Sequence, residues 1–133
     1  MRHFLLIAII CLAGCAASQP RPISLACGMP KAQLIERATA VFVQNGYQIT
    51  FASADAGTVQ AQRQETALDQ RTYIWSVSIR TDSMVVNAQM NQVNVVLSPG
   101  VTTTTYWDDA NVSGQIHDWY DPVMRGLRSV CAK

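Results

Sequence analysis

The chain predicts an α+β domain: an N-terminal helix, a curved antiparallel sheet of four to six strands, and a C-terminal helix, with both helices on one face of the sheet. Two observations carry this. Apolar residues recur at helical spacing near the two ends of the domain, while strict alternation of apolar and polar residues fills the middle. The links between the alternating runs are short, so hairpin pairing is expected and a parallel sheet is not.

The first helix is expected over Pro30 to Asn45. Leu34, Ile35, Ala38, Val41 and Phe42 share one face, and Lys31, Glu36, Arg37 and Gln44 fall mostly elsewhere. Pro30 suits the first helical position, and Gly46 suits a left-handed residue just past the end. Strands follow. Tyr47, Ile49 and Phe51 alternate with Gln48 and Thr50, and Ser53 to Gly57 is a turn. Val59 and Ala61 oppose Gln60, Gln62 and Gln64. A polar link from Thr66 to Gln70 leads to the strongest strand, where Tyr73, Trp75, Val77 and Ile79 share a face.

Beyond the turn at Asp82-Ser83, Met84, Val86, Ala88 and Met90 form the next apolar set. The phase then changes to Val93, Val95 and Leu97. A one-residue shift reverses every side chain, so a bulge near Asn91-Gln92 or a strand break is expected there. Ser98-Pro99-Gly100 is a turn. Val101 to Trp107, with four threonines and two aromatics, favours a strand. In the last segment Ile116, Trp119 or Tyr120, Val123, Leu127 and Val130 keep one helical face. Pro122 either kinks this helix or opens a second one capped by Asp121, and the second arrangement is favoured. Arg125, Arg128 and Lys133 suit the negative end of the helix dipole.

The N-terminus has the layout of a secretory leader. Arg2 gives it a positive start, Phe4 to Leu12 is apolar, and Ala13 and Gly14 are small. The apolar run is too short to cross a bilayer core, which needs about 20 residues. A short membrane helix and a plain signal peptide cut after an A-x-A-like site are the alternatives. The run Leu12-Ala13-Gly14-Cys15 resembles the lipobox of bacterial lipoproteins. That resemblance implies lipidation of Cys15 and cleavage just before it. Ala16-Ala17, in place of an aspartate after the cysteine, implies sorting to the outer membrane with the domain on its periplasmic face. The chain then divides into a leader (1–14), a lipidated cysteine and tether (15–26) and one domain (27–133).

The ten basic and nine acidic residues become nine of each once Arg2 is removed. No Lys or Arg occurs from Thr81 to Met124, and no basic stripe exists, which argues against nucleic acid as a partner. Of four cysteines, Cys11 belongs to the leader and Cys15 to the lipid. Cys27 and Cys131 remain as an even pair in an oxidising compartment, where a disulfide is expected.

Sites of chemistry are scarce. His117 lies near Asp108, Asp109, Asp118 and Asp121, but capping by Asp109 and Asp121 is the plainer reading, and no metal or cofactor is expected. Glu65 and Asp69 fall in a polar link. Asn111-Val112-Ser113 matches a glycosylation sequon, of little meaning in a bacterial lipoprotein. No G-x-S-x-G or Cys-His arrangement is present, so the chain is not expected to be an enzyme.

The aromatic pairs Tyr106-Trp107 and Trp119-Tyr120 are the candidates for partner binding. Adjacent positions point in different directions, which leaves one of each pair for the surface. The strand set Val93, Val95 and Leu97 would suit a partner that adds a strand. The helix ending in Asn45-Gly46-Tyr47, the strand pair around Ala54-Asp55-Ala56-Gly57-Thr58 and the closing helix together resemble the small helix-grip domains of outer-membrane lipoproteins, such as the accessory lipoproteins of the β-barrel assembly machinery. The resemblance implies a non-enzymatic, protein-binding accessory component of an outer-membrane, secretion or assembly complex. The alternative is a carrier of a small ligand or lipid, which would need a helix–sheet cleft lined by Phe42, Tyr73 and Trp75.

Overall fold

A computed structural model of the chain describes residues 19–66, 70–94 and 100–132. Cys15 and the leader lie outside them, as do Asp69, Val95, Leu97 and Lys133. The elements run β1 (Ile23–Ala26), α1 (Lys31–Gln44), β2 (Gln48–Ser53), β3 (Thr58–Thr66), β4 (Gln70–Ile79), β5 (Ser83–Asn94), β6 (Val101–Trp107) and α2 (Gln115–Cys131). Six antiparallel strands form one sheet that does not close into a barrel, and both helices pack on one face of it. No helix among the described residues is long and apolar enough to cross a membrane.

The strands β2 to β6 form a meander of neighbouring hairpins. β1 is the element hidden from the sequence reading, which gives these residues to the tether. It pairs with Ser83–Val86 of β5, while β6 pairs with Ala88–Asn94 on the same side of that strand. β6 and β1 therefore lie head to tail along one edge. Arg21 reaches Asp108 at their junction, with Nη1 3.4 Å from Oδ2.

α1 begins one residue later than expected, with Pro30 as its cap and the Pro30 carbonyl accepting from the Leu34 N–H. It ends where Gly46 takes φ +80°, the left-handed conformation that a side chain disfavours. Its apolar face meets the inner strand face in one core. Leu34, Ala38, Phe42, Val59, Ala61, Tyr73, Trp75, Val77, Met84 and Val86 are almost wholly buried there, together with Tyr120, Val123, Met124 and Leu127 of α2.

Two register expectations are corrected. β5 runs through Asn91-Gln92 with an unbroken ladder to both neighbours, so neither a bulge nor a break occurs there. The apolar pattern instead changes face, and Val93 joins Asn91 and Gln89 on the outer side. The irregularity lies at Thr50, where Ile49 pairs with Ala61 but Phe51 pairs with Gln60. The extra residue turns Phe51 outward, 48 % exposed, away from the Tyr47–Ile49 face.

α2 is also a correction. It is one helix from Gln115 to Cys131 with Pro122 inside it, and its cap is Gly114, not Asp109 or Asp121. Pro122 deprives the Asp118 carbonyl of a donor, which ordinarily costs about 3 kcal/mol or more. Here Pro122 lies on the exposed side, where water can serve that carbonyl. The buried stripe of Tyr120, Val123, Met124, Leu127 and Val130 holds the helix to the core across the defect. At its end, Cys131 meets Cys27 at bonding distance, with Cα atoms 4.4 Å apart.

Candidate functional site

Two surfaces stand out from the packed core. The first is the outer side of the sheet with its β6 edge. Register places Gln60, Ser76 and Asn87 in one row there. Gln62, Ile74, Gln89 and Tyr106 form the next, and Gln64, Thr72, Asn91 and Thr104 a third. Among the described residues, no strand projects a charged side chain to this side. The amides are partly self-satisfied: Asn91 Oδ1 accepts from Thr104 Oγ1 at 3.0 Å and from Gln89 Nε2 at 3.4 Å.

β6 forms the open edge beside this side. It holds no charge and no proline, and Val101 is 53 % exposed. Natural edge strands are usually blunted by charge, proline or a bulge. Among the described residues, only the far end of β6 is clipped, where the Asn111 side-chain amide donates to the Tyr106 carbonyl at 2.9 Å. Asn111 also accepts from the Asp108 N–H, and Asp108 accepts from the N–H groups of Ala110 and Asn111. The sequon asparagine is thus a loop fastener.

The second surface lies where α2 crosses the inner row Arg63–Tyr73–Met90. Arg63 continues the buried Val59–Ala61 face of β3, so alternation carries a guanidinium towards the helices. Its Nη1 donates to the Asn45 carbonyl at 2.6 Å. Its Cζ sits 3.7 Å from the Trp119 ring centre and 4.8 Å from that of Tyr47. Contacts of this kind contribute roughly 0.5–2 kcal/mol, more as water is excluded. Trp119 also stacks on Tyr73 at 5.2 Å and 14°. The Tyr73 hydroxyl donates to Glu65 Oε2 at 3.2 Å. Arg63, Glu65, Gln115, Asp118 and Trp119 line an open cleft of about 400 Å³.

The four aromatic candidates divide evenly. Trp107 and Tyr120 are buried at 6 % and 1 % exposure and are withdrawn as partner contacts. Strand alternation turns Trp107 inward opposite Ala88, and Tyr120 packs on Trp75 with ring centres 5.5 Å apart. Tyr106 and Trp119 stay half-exposed, one on each surface. Arg63 is the site residue that the sequence reading passed over. Its signal was a charge on the apolar phase of an alternating strand.

Asp109, Asp121 and Glu65 have structural partners. Asp109 accepts from the Tyr120 hydroxyl at 3.0 Å and from the Arg128 guanidinium. The Arg128 hydrogen bond holds the Asp109 carboxyl below the usual carboxylate range, and Tyr120 adds to it. Burial, then Asp109, pushes the Tyr120 phenol above its usual range. His117 is exposed, with Nδ1 3.4 Å from Asp121 Oδ2 one turn on. No group of three or more possible metal ligands occurs among the described residues. Glu65 is half-buried and hydrogen-bonded, not a free carboxylate in a link.

Phe42, Tyr73 and Trp75 fill the helix–sheet interior at 0 %, 1 % and 2 % exposure, and the described clefts are lined by other residues. No protein-family model matches this chain, and no curated protein matches it significantly.

Proposed function

We propose that this chain is a non-enzymatic lipoprotein, anchored through Cys15 at the periplasmic face of the outer membrane, whose domain binds a protein partner in an envelope secretion or assembly complex. The observation that carries the binding half is the combination of a filled interior with an open edge. The space that a carrier would need between helices and sheet is occupied by Phe42, Tyr73 and Trp75. Among the described residues no strand pairs with the outer side of the uncharged edge from Val101 to Thr105, which suits strand addition, in which main-chain hydrogen bonds give affinity. Tyr106, half-exposed at the clipped end, is the aromatic contact for such a strand. The anchoring half rests on Leu12-Ala13-Gly14-Cys15 and on Ala16-Ala17. In that compartment the Cys27–Cys131 pair is a disulfide.

The experiment is cross-linking in intact cells from a photoreactive residue at Thr103, with Ser78 as a control position away from the edge. A discrete adduct at Thr103, absent at Ser78, is expected. Recovery of monomer alone with co-purifying lipid would sink the partner reading in favour of the carrier. For the anchor, Cys15→Ser should abolish palmitate incorporation, and unchanged incorporation would refute the lipobox reading.

A further inference from the structure

We propose that the cleft beside Trp119 is a binding site for a neutral oligosaccharide. Arg63 and Tyr73 are direct cross-strand partners on the inner strand face. Both therefore meet the Trp119 indole from the sheet side: the guanidinium carbon 3.7 Å from its centre, the phenol ring nearly parallel to it at 5.2 Å. Trp119 remains half-exposed, and its open side forms a wall of the cleft. The indole is thereby held in place from the sheet while part of its flat surface stays accessible in the cleft. Such a surface matches the apolar C–H face of a pyranose ring and loses little entropy when it binds.

The rim supplies what a sugar's hydroxyls require. Gln115 offers an amide with donors and an acceptor. Asp118 and Glu65 offer carboxylate acceptors, and Arg63 offers planar donors. Gln115 and Asp118 are exposed on the first turn of α2, and Glu65 is oriented by the Tyr73 hydroxyl at 3.2 Å. These groups converge on one cleft from two elements, with the aromatic between them. The mixed charge of the lining disfavours a strongly charged ligand of either sign. Two carboxylates oppose a phosphate or sulfate. Arg63, held by the Asn45 carbonyl and two rings, opposes a cation over the same indole. A neutral ring with hydroxyls at its edge conflicts with neither.

The site shares no lining residue with the β6 edge, so its test and the cross-linking test fail independently. The probes are cellotriose, maltotriose and triacetylchitotriose, each titrated to millimolar concentration into the full chain in detergent. The readout is the indole N–H resonances of the three tryptophans. One resonance, assigned to Trp119 by its loss in Trp119→Phe, is expected to move with at least one trisaccharide, while those of buried Trp75 and Trp107 stay fixed. Gln115→Ala with Asp118→Ala, both at exposed positions, should weaken that binding about tenfold or more and leave the other two resonances in place. No movement with any trisaccharide overturns the proposal. So does movement that is indifferent to the double substitution, or movement produced only by a lysine-rich peptide.

Discussion

A β-carbon built on Gly126 would lie 2.7 Å from Cγ1 of Val41. The two helices thus cross at a point where α2 has no side chain and α1 presents a stiff, β-branched one. Gly126→Ala should destabilise the domain by about 1–3 kcal/mol, since overpacking outweighs alanine's better helix propensity of up to about 1 kcal/mol. Adding Val41→Ala should return part of that loss. Urea unfolding of the two single variants and the double checks it, and simple additivity would refute the contact.

Pro122 offers the opposite case. It is exposed within a continuous helix, and it only removes a hydrogen bond from the Asp118 carbonyl. Pro122→Ala should raise stability by about 1–3 kcal/mol. A lower melting temperature for that variant would mean that the break is needed by the packing around it.

Cys27 and Cys131 span a separation of 104 residues. Closing a loop of that size contributes roughly 4–5 kcal/mol in the chain-entropy picture, and often less in practice. Thiol titration of the denatured protein should find both cysteines blocked until reductant is added. The reduced protein should unfold at clearly lower denaturant, and two free thiols without reductant would end the claim.

Asp109 makes stability depend on acid. Its folded value is depressed by Arg128, so its contribution is present above the ordinary carboxylate value of about 3.9 and lost as pH falls through the lower folded value. Tyr120 works in the other direction. Its folded value is raised, so its contribution holds below about pH 10 and fades as the solution becomes more alkaline. Asp109→Ala leaves the buried Tyr120 hydroxyl without its acceptor and should cost about 1–3 kcal/mol at neutral pH. The gap between variant and parent should narrow as pH falls from about 3.9 through the lower folded value, below which Asp109 is protonated in both states. A constant gap from pH 7 downward would dismiss the charge contribution.

The alternating middle and the two amphipathic ends made the α+β layout legible, because burial on one face writes itself directly into period. What stayed hidden was geometry that period does not encode. The four residues of β1 were masked by the prolines before them. Thr50 gave no local sign of the extra residue that turns Phe51 outward. At Val93 the pattern changed phase while the backbone did not, because Gln92 and Val93 simply exchange the expected faces. Pro122 was weighed by its intrinsic cost, whereas a buried stripe on the far side of the helix decided the outcome. Cys27 with Cys131 was readable by elimination. The Arg63–Trp119 cleft was not, since it joins residues 56 positions apart through a helix crossing.

The head-to-tail seating of β6 and β1 on β5 has a mechanical meaning. Tension applied to the chain before Ile23 acts first on the Arg21–Asp108 contact and then on the four rungs between β1 and β5. Immediately behind those rungs stands Cys27, and a bond to Cys131 would pass the load straight into the end of α2. The force would then bypass α1 and the meander, so tension on the segment before Ile23 would peel β1 without opening the rest of the domain.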